Sequence, residues 1–464
     1  MSIPVKIFLL AITVFVVGLA IYLNQIISYV PEKPILEEIW WGPDSENILE
    51  NDTSIKPFKI SIPNKVIEDL KRRINQVRPF TPPLEGVQQQ YGMNTNLLKE
   101  FIEFWNTKYD WKERQEYLNQ YPQFTTKIQG LNIHFIRVKP SKVTNQRVLP
   151  LLILHGWGGS IREFYDLIPL LTTPQSGRNF VFEVIVPSLP GFAFSQAASK
   201  PGLGVAHMAV IFKNLMKRLG YEKYYLQGGD WGGVITSIMA ALYPEHVLGL
   251  HSNMCIVNSL KANTKLLIGS LIPSLVVEEE YQDRLYPLNK LFSNIIEETG
   301  YYHMHATKPD TLGVALQDSP VGFAAYMLEK FITWTNPNFN KMTNGGILKK
   351  YSYTQLLDNI MIYWLTNSIT TSMRIYAESA SRAHISLQAD KVPIEVPTAC
   401  AKFRYEVVYF PDSLLREKFK QLVQSNHFNT GGHFAAFEEP TLLAMDIWKA
   451  VKKFEKINKA SKDK

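Results

Sequence analysis

The chain has very little cysteine, with only Cys255 and Cys400 among 464 residues. Two cysteines exclude a disulfide framework and a cysteine zinc cluster, and they favour a reducing compartment. Charged residues make up 20% and hydrophobic residues 46% of the sequence, which excludes both an intrinsically disordered chain and a polytopic membrane protein. We therefore expect one or two globular domains around a large buried core.

The excess of basic over acidic residues is also small. Lys and Arg number 49 against 42 Asp and Glu, which gives a formal net charge of +7 at pH 7. Basic residues are mixed with acidic ones, and the one basic run, residues 452–464, is typical of a solvated terminal helix and tail. This distribution disfavours nucleic acid as a partner.

Several catalytic signatures are missing. The sequence contains no G-x-S-x-G, no P-loop and no dinucleotide glycine fingerprint, which disfavours a serine esterase and a nucleotide cofactor. His207, His246, His303 and His305 show no metal-ligand spacing, and we interpret them as surface or core residues. We predict neither a cofactor nor a bound metal.

One long apolar run stands at the N-terminus. No charged residue occurs from Ile7 to Leu23, and extension through Ile27 gives about 20 residues, which is enough to span a bilayer. No small-x-small cleavage site follows Leu23, so we interpret residues 1–28 as an uncleaved anchor rather than a signal peptide. The run predicts membrane lipid as a partner of an N-terminal helix.

Short apolar runs alternate with helix-length segments over much of the remaining chain. The runs include VLPLLIL, FEVIVP, KYYLQG and HVLGLHS. Strands that alternate with helices predict a mostly parallel sheet with helices on both faces. A later stretch with little strand pattern is interpreted as an inserted helical cap. The predicted domains are a transmembrane anchor (1–28), an N-terminal helical arm (29–130), the first part of an α/β core (131–255), the cap (256–389) and the second part of the core (390–464).

The string LQGGDWGG predicts a nucleophile on a sharp turn between a strand and a helix. Asp230 stands in it among small residues, and such a turn needs neighbours without bulky side chains because the flanking backbone packs closely. A carboxylate here suits displacement at an sp³ carbon, which leaves an alkyl ester on the enzyme. Taken alone, Asp230 is equally compatible with an ordinary cap of the following helix.

The string HGWGGS follows an apolar strand upstream of Asp230. In an α/β-hydrolase this loop donates one backbone N–H to an oxyanion hole, and the residue after the nucleophile donates the other. The predicted donors are the amides of Trp157 and Trp231. Taken alone, the string is typical of any Gly-rich connection between a strand and a helix.

The string GGHF near the C-terminus supplies a candidate base. His433 follows the nucleophile and a possible acid in the chain order that the hydrolase fold uses. The acid that orients the imidazole should end the preceding strand, where Glu406 and Asp412 compete. We prefer Glu406, because orienting the imidazole needs a carboxylate in the loop at the end of that strand.

Longer strings make the chain resemble the microsomal epoxide hydrolases, and more narrowly the insect juvenile hormone epoxide hydrolases. They extend over nearly the whole chain and include WWGP, PSLPGFAFS, GGDWGG, TKPDTLGVALQDSPVGFAAYMLEKFITWT and GGHFAAFEEP. The resemblance implies an α/β-hydrolase fold with a helical cap, tethered to the endoplasmic reticulum. It also implies conversion of an apolar epoxide, juvenile hormone or a xenobiotic, to a diol through an ester of the nucleophilic aspartate.

The resemblance also assigns roles to individual residues. It implies Asp230 as nucleophile, Glu406 as acid and His433 as base. Two cap tyrosines activate the epoxide in this family, and the matching residues are Tyr301, in ETGYYHMHATKP, and Tyr376, in TSMRIYAES. Tyr302 is an adjacent rival to Tyr301.

One residue departs from the family pattern. The family usually has HGWP, whereas this chain has Gly158 after the tryptophan. If the family loop carries a cis bond, glycine must adopt it at a cost of about 2.5 to 4 kcal/mol or relax to trans, which leaves the position of the Trp157 N–H open.

Two alternative functions remain compatible with the sequence. In a haloalkane dehalogenase the indole of Trp231 would hold the halide. A hydrolase fold without catalysis would serve as a lipid-binding or adhesion module.

Overall fold

The computed structural model describes residues 3–44, 52–141 and 146–462. Within them, nine strands form one sheet in the order β1-β2-β3-β5-β4-β6-β7-β8-β9. The strands are β1 (Ile55–Phe58), β2 (Gln123–Ile128), β3 (Leu131–Val138), β4 (Arg147–Leu154), β5 (Phe180–Pro187), β6 (Tyr224–Gly228), β7 (Val247–Ser252), β8 (Thr398–Lys402) and β9 (Leu422–His427). All pairings from β5 across to β9 are parallel, whereas those that involve β1, β2 or β3 are antiparallel. The predicted mostly parallel sheet is confirmed.

Helices cover the sheet and build the regions before and after it. They are α1 (Ile3–Ile27), α2 (Asn64–Asn75), α3 (Thr95–Thr107), α4 (Trp111–Leu118), α5 (Ile168–Thr172), α6 (Val205–Arg218), α7 (Asp230–Leu242), α8 (Leu260–Gly269), α9 (Leu288–Glu298), α10 (Gly300–Thr307), α11 (Pro309–Asp318), α12 (Pro320–Thr333), α13 (Tyr353–Leu365), α14 (Ile369–Ser379), α15 (Arg382–Ser386), α16 (Asp412–Leu415), α17 (Ala435–Glu438) and α18 (Pro440–Lys462). Every residue of β5, β6 and β8 is buried, as expected for parallel strands covered on both faces.

The region predicted as a helical arm, residues 29–130, also contributes strands. Helices α2, α3 and α4 lie in it, but β1 and β2 extend the sheet beyond β3 by antiparallel pairing. Strand β2 alternates polar and apolar residues only weakly, so its sequence QFTTKI resembles a loop. The sequence prediction is therefore corrected to an arm of helices and two antiparallel strands, of which β1 forms one edge of the sheet.

Helix α1 covers the apolar run from which a membrane anchor was predicted. Among the helices that the structure describes, none is long and apolar enough to cross a membrane. The predicted transmembrane anchor at 1–28 is therefore not supported, and its first two residues lie outside the described part of the chain.

The cap leaves the sheet after β7 and returns before β8. All residues from 256 to 389 are described, and none of them lies in a strand.

A buried charge cluster connects the cap to the core and to the arm. Asp358 of α13 is fully buried and accepts hydrogen bonds from Arg162 of the core and from Arg114 and Tyr109 of the arm. Removing one partner of such a cluster leaves an uncompensated buried charge. The cluster therefore stabilises the packing of the cap, the core and the arm against one another.

A disulfide closes the base of the cap. Cys255, just beyond β7, is bonded to Cys400 in β8, which lies 145 positions later in the chain. The parallel pairing of β7 and β8 places Ser252 opposite Cys400 and so brings the two cysteines together. The two cysteines thus form one disulfide rather than a framework, and this bond removes the basis for the expected reducing compartment, which rested on the small number of cysteines.

Candidate active site

Asp230 stands at the turn from β6 into α7. Its φ of +49° lies in the left-handed region, which is strained for a residue other than glycine and is maintained only by the surrounding structure. Close packing of the turn explains the flanking glycines: a Cβ at Gly228 or at Gly232 would overlap neighbouring backbone. The turn therefore holds the carboxylate on a fixed corner of the backbone.

The carboxylate of Asp230 has two different neighbours. Its Oδ1 accepts a hydrogen bond of 2.7 Å from the backbone N–H of Trp157, and its Oδ2 lies 3.3 Å from Nε2 of His433. A Cβ at Gly156 would overlap this carboxylate, so only glycine permits the approach. The amide of Trp231, the second predicted oxyanion donor, makes no hydrogen bond to Asp230 among the described contacts.

His433 is held between Asp230 and a second carboxylate. Its Nδ1 lies 2.6 Å from Oε1 of Glu406, which also accepts from the Val407 amide at 2.8 Å. Glu406 follows the end of β8 by four residues. The rival Asp412 lies elsewhere, in an ion pair with Lys402. The structure thus brings Glu406, and not Asp412, to the imidazole.

The charge state of His433 follows from these neighbours. Burial opposes a positive charge, but the carboxylates of Glu406 and Asp230 outweigh it and raise the pKa of His433 well above its ordinary value. The side chain of Asp230 is 20% exposed, whereas those of His433 and Glu406 are 3% and 2% exposed. The free site therefore holds an imidazolium between two carboxylates at neutral pH.

The HGWGGS loop is fixed by its histidine. Nε2 of His155 accepts from the Leu189 amide at 3.1 Å, so its Nδ1 carries the proton and donates to the Gly156 carbonyl at 3.0 Å. Burial lowers the pKa of His155 to about 4, which keeps it neutral. Gly158 takes a φ of +86°, and the bond before it is not among the cis bonds of the described chain. Glycine has thus relaxed to trans, and the Trp157 N–H still reaches Asp230.

Two cap tyrosines face the same carboxylate region. The ring of Tyr301, on α10, stacks on Trp157 at 5.7 Å, and the ring of Tyr376, on α14, meets Trp231 edge-on at 4.8 Å. The two phenol rings are 6.0 Å apart. Burial, followed by the charge of Asp230 among other causes, raises the pKa of Tyr301 above its ordinary value, and burial does the same for Tyr376. Both therefore stay protonated and able to donate.

The hydroxyl groups distinguish the two tyrosines from their rival. The hydroxyl of Tyr376 is buried beside the side chains of Tyr301 and Trp231, close to the carboxylate of Asp230. Tyr302 is 41% exposed, more than is typical of a residue that lines a closed site. Tyr301 is partly buried, and the ammonium of Lys330 lies over its ring, 4.5 Å from the ring centre.

Sequence reasoning missed two residues that belong to this neighbourhood. His305, interpreted as a surface or core residue, packs against Trp157 at 4.6 Å and donates to or accepts from Tyr326 at 2.8 Å. It lies four positions after Tyr301 on α10, so helical spacing could have placed both on one face. Glu163 is also buried here and was not singled out, because a lone glutamate in the string REF carries no signal.

Across residues 3–44, 52–141 and 146–462, no group of three or more His, Cys, Asp or Glu side chains is arranged to bind a metal ion.

Comparison with known proteins places the chain among similar sequences. The profile of the family described as "Epoxide hydrolase N terminus" matches residues 55–164, and that of "alpha/beta hydrolase fold" matches residues 150–377. The chain is 54% identical over 441 residues to juvenile hormone epoxide hydrolase 1 of Ctenocephalides felis, which covers 95% of this chain and 94% of the relative. It is 48% identical to epoxide hydrolase 1 of Oryctolagus cuniculus, over 90% of this chain and 92% of the relative.

Solved structures agree with the sequence relatives. The crystal structure of juvenile hormone epoxide hydrolase from the silkworm Bombyx mori superimposes with a TM-score of 0.90 at 49% identity, over 91% of this chain and 100% of the other. The epoxide hydrolase of Aspergillus niger gives a TM-score of 0.72 at 27% identity, over 86% and 97%. The predicted α/β-hydrolase fold is confirmed.

Proposed function

The chain belongs to the epoxide hydrolase family and is itself an epoxide hydrolase, and from this premise we propose that it opens apolar epoxides through a covalent ester of Asp230. The observation that carries the proposal is the double contact of its carboxylate. Oδ1 lies 2.7 Å from the Trp157 N–H, and Oδ2 lies 3.3 Å from His433 Nε2. One oxygen is thus paired with an oxyanion donor and the other with a base.

In the first half-reaction, Oδ2 of Asp230 attacks an epoxide carbon. The C–O bond of the ring breaks, and its electron pair goes to the epoxide oxygen, which takes a proton from Tyr301 or Tyr376. Neutral phenols suit this task, because an alkoxide is a poor leaving group unless it is hydrogen-bonded or protonated. Oδ1 becomes the carbonyl oxygen of the ester and keeps the N–H of Trp157.

Formation of the ester changes the charge of the site. Asp230 loses its negative charge, and with it one of the two carboxylates that raise the pKa of His433. The imidazolium then gives up its proton, which restores the phenol that donated. Neutral His433, still oriented by Glu406, is now a base. The charge of the nucleophile therefore decides when the histidine can act.

In the second half-reaction, His433 takes a proton from a water molecule that attacks the ester carbon. The negative charge that develops on Oδ1 is stabilised by the Trp157 N–H, and one such donor contributes about 2.7 to 4 kcal/mol. The tetrahedral intermediate collapses, the C–O bond to the substrate breaks, and the departing alkoxide takes the second hydrogen of the attacking water, so that a neutral diol leaves. Asp230 is again a carboxylate, paired with the imidazolium of His433, so atoms and charges balance over the cycle.

A single turnover in ¹⁸O-water tests this route. With enzyme in excess over epoxide, the heavy oxygen should enter the carboxylate of Asp230, detected by mass spectrometry of the peptide that contains it. The diol of that first turnover should carry none. Heavy oxygen in the first diol would mean that water attacks the epoxide directly, which contradicts a covalent ester.

We propose juvenile hormone as the preferred substrate. Relatives with about half of their residues identical to this chain are named juvenile hormone epoxide hydrolases, which supports this choice. The aromatic rings that pack around Trp157, which include Trp334 and Tyr326, also suit an apolar chain. The test is kcat/KM for juvenile hormone against aromatic epoxides. Equal values would instead indicate a broad xenobiotic epoxide hydrolase.

A dehalogenase activity is the second candidate. Trp231 directly follows the nucleophile and its indole packs edge-on to Tyr376, so its N–H would be the donor to a halide. Halide release from a chlorinated alkane, measured beside diol formation from an epoxide, decides between them. Epoxide turnover without halide release would remove this candidate.

Location at the endoplasmic reticulum stays a prediction, as does contact of the N-terminal helix with membrane lipid. Fractionation of cells that express the full chain tests both. Recovery in the microsomal pellet, with loss of that recovery after deletion of residues 1–28, is the expected result.

A further inference from the structure

A small cavity lies on the core side of Asp230. Its walls include Glu163, His433 and the backbone of the HGW segment, and neither Tyr301 nor Tyr376 lines it. The space open to the centres of water molecules is about 20 Å³. A buried site needs about 10 to 15 Å³ of this kind to hold one water, so the cavity suits one or two. It is thus a water-sized space behind the nucleophile, on the side away from the phenols.

Glu163 reaches this cavity because of a glycine. The residue stands in the short 3₁₀ turn Ile161–Phe164 and is 8% exposed. A Cβ at residue 159 would overlap its carboxyl group, so the absence of a side chain at Gly159 makes room for it within the HGWGGS loop. The loop that supplies the oxyanion donor therefore also directs a carboxyl group into the wall of the cavity.

A hydrolytic water must be oriented as well as deprotonated. Its oxygen lone pair has to face the ester carbon, which is achieved when both of its hydrogens are held by acceptors elsewhere. His433 Nε2 can accept one hydrogen. The other needs a second acceptor in the same cavity, and in the proposed cycle nothing else has that role.

Resting on the proposed ester mechanism, we infer that Glu163 is this second acceptor and holds the water that hydrolyses the Asp230 ester. One hydrogen of the water bonds to an oxygen of Glu163, and the other is taken by His433. The water oxygen then forms the new bond to the carbon of the Asp230 ester, as in the second half-reaction above.

The protonation state of Glu163 fits a neutral acceptor. Burial raises its pKa to about 8, with the charge of His433 acting against this and that of Asp230 in favour. Near pH 7 the carboxyl group is therefore mostly neutral, and its carbonyl oxygen accepts without placing a further negative charge beside the developing oxyanion.

Two substitutions with side chains of similar length separate the effect of the hydrogen-bond acceptor of Glu163 from the effect of the space that its side chain fills. Glu163→Gln keeps a carbonyl oxygen at nearly the same place, whereas Glu163→Met fills the space without an acceptor. The substrate is an aromatic epoxide in single-turnover experiments. Alkylation is followed by the fluorescence of the tryptophans beside Asp230, and decay of the ester by intact mass after acid quench. Because decay is first order for each alkylated molecule, a partly unfolded sample does not alter its rate constant.

The expected result is selective. Glu163→Met should slow decay of the ester by about 10²-fold, with the alkylation rate within a few-fold of the wild type, so that the ester accumulates during turnover. Glu163→Gln should restore decay to within a few-fold of the wild type. Decay of the ester at the wild-type rate in Glu163→Met would overturn the inference, and so would equal slowing of both steps in both variants, which indicates a structural role.

A third variant separates failure of this inference from failure of the proposed function. His433→Gln removes the base and should trap the ester. If the ester appears there but decays normally in Glu163→Met, the mechanism stands and the role of Glu163 is wrong. If no ester appears in any of the three variants, the covalent mechanism itself is wrong.

Discussion

The core and the cap surround Asp230 with opposite kinds of groups. On the core side stand titratable groups and a backbone donor: His433, Glu406, Glu163 and the Trp157 amide. On the cap side stand the neutral phenols of Tyr301 and Tyr376 among other aromatic rings. Lys330, a cation of the cap, lies over the Tyr301 ring and is paired with Glu329.

This contrast assigns the two half-reactions to different parts of the chain. Hydrolysis of an ester needs charges that are fixed and oriented, which a rigid parallel sheet with short loops supplies. Opening of an apolar epoxide needs proton donors in an apolar place, which packed helices supply. Substitutions on the two sides should therefore slow different steps.

The largest effect should come from the group that both sides share. Asp230→Ala removes the nucleophile, and diol formation should fall by at least about 10⁴-fold, since no other group in the described site replaces it. Steady-state assays by mass spectrometry of the diol measure this. Retention of substantial activity would contradict the role given to Asp230.

On the cap side, the double change Tyr301→Phe with Tyr376→Phe should slow epoxide opening by about 10²- to 10³-fold. The reason is that the epoxide oxygen would leave unprotonated. Ester formed slowly should still decay at the wild-type rate, which single-turnover measurements show directly. The matched control Tyr302→Phe should change both rates little. A slower decay in the double variant would break the separation of core from cap.

On the core side, Glu406→Gln should slow decay of the ester by about 10²-fold while alkylation changes less. Loss of this carboxylate removes a cause that raises the pKa of His433, so the base is weaker and less well oriented. Asp412→Asn, which removes the other acid considered from the sequence, should leave the decay rate within a few-fold of the wild type. Equal effects of the two changes would contradict the assignment.

A smaller effect concerns stability and pH. The pKa of Glu163 is raised to about 8 in the folded protein from an ordinary value of 4.5. Between these values the folded state binds a proton that the unfolded chain has lost, so this group makes the protein less stable as pH rises through the window. Glu163→Gln should therefore gain about 3 to 4 kcal/mol relative to the wild type between pH 5 and pH 8, at about 1.36 kcal/mol for each pKa unit.

Denaturant unfolding at the two pH values measures this difference. The exposed residue Glu85 provides the control, because Glu85→Gln should leave the difference between the two pH values unchanged. A Glu163 variant that behaves like this control would show that the buried carboxyl group carries no such cost.

The sequence predicted the parts of the core that depend on local pattern. Strands β4 to β7 are apolar runs that end at glycine or polar turns. The nucleophile turn needs glycine at fixed positions next to Asp230. Both features can therefore be recognised from the sequence alone. Glu406 could be preferred because β8 ends at Lys402, which leaves the glutamate in a loop.

What the sequence did not predict depends on contacts between distant residues. Glu163 enters the site because Gly159 leaves space, and the disulfide exists because β7 pairs with β8. Strand β2 has too little alternation to be recognised without its partner β3. In the cap, the spacing on α10 relates His305 to Tyr301, but only packing shows which face meets Trp157.

The disulfide at the base of the cap has a consequence for how the chain survives cleavage. Cys255 and Cys400 lie on either side of nearly the whole inserted region. A protease that nicks an exposed cap loop would therefore cut the backbone without separating the pieces, which would run as one band on a gel without reductant. The two halves of the core would stay joined, and a nicked molecule could keep its base and nucleophile on one covalent body.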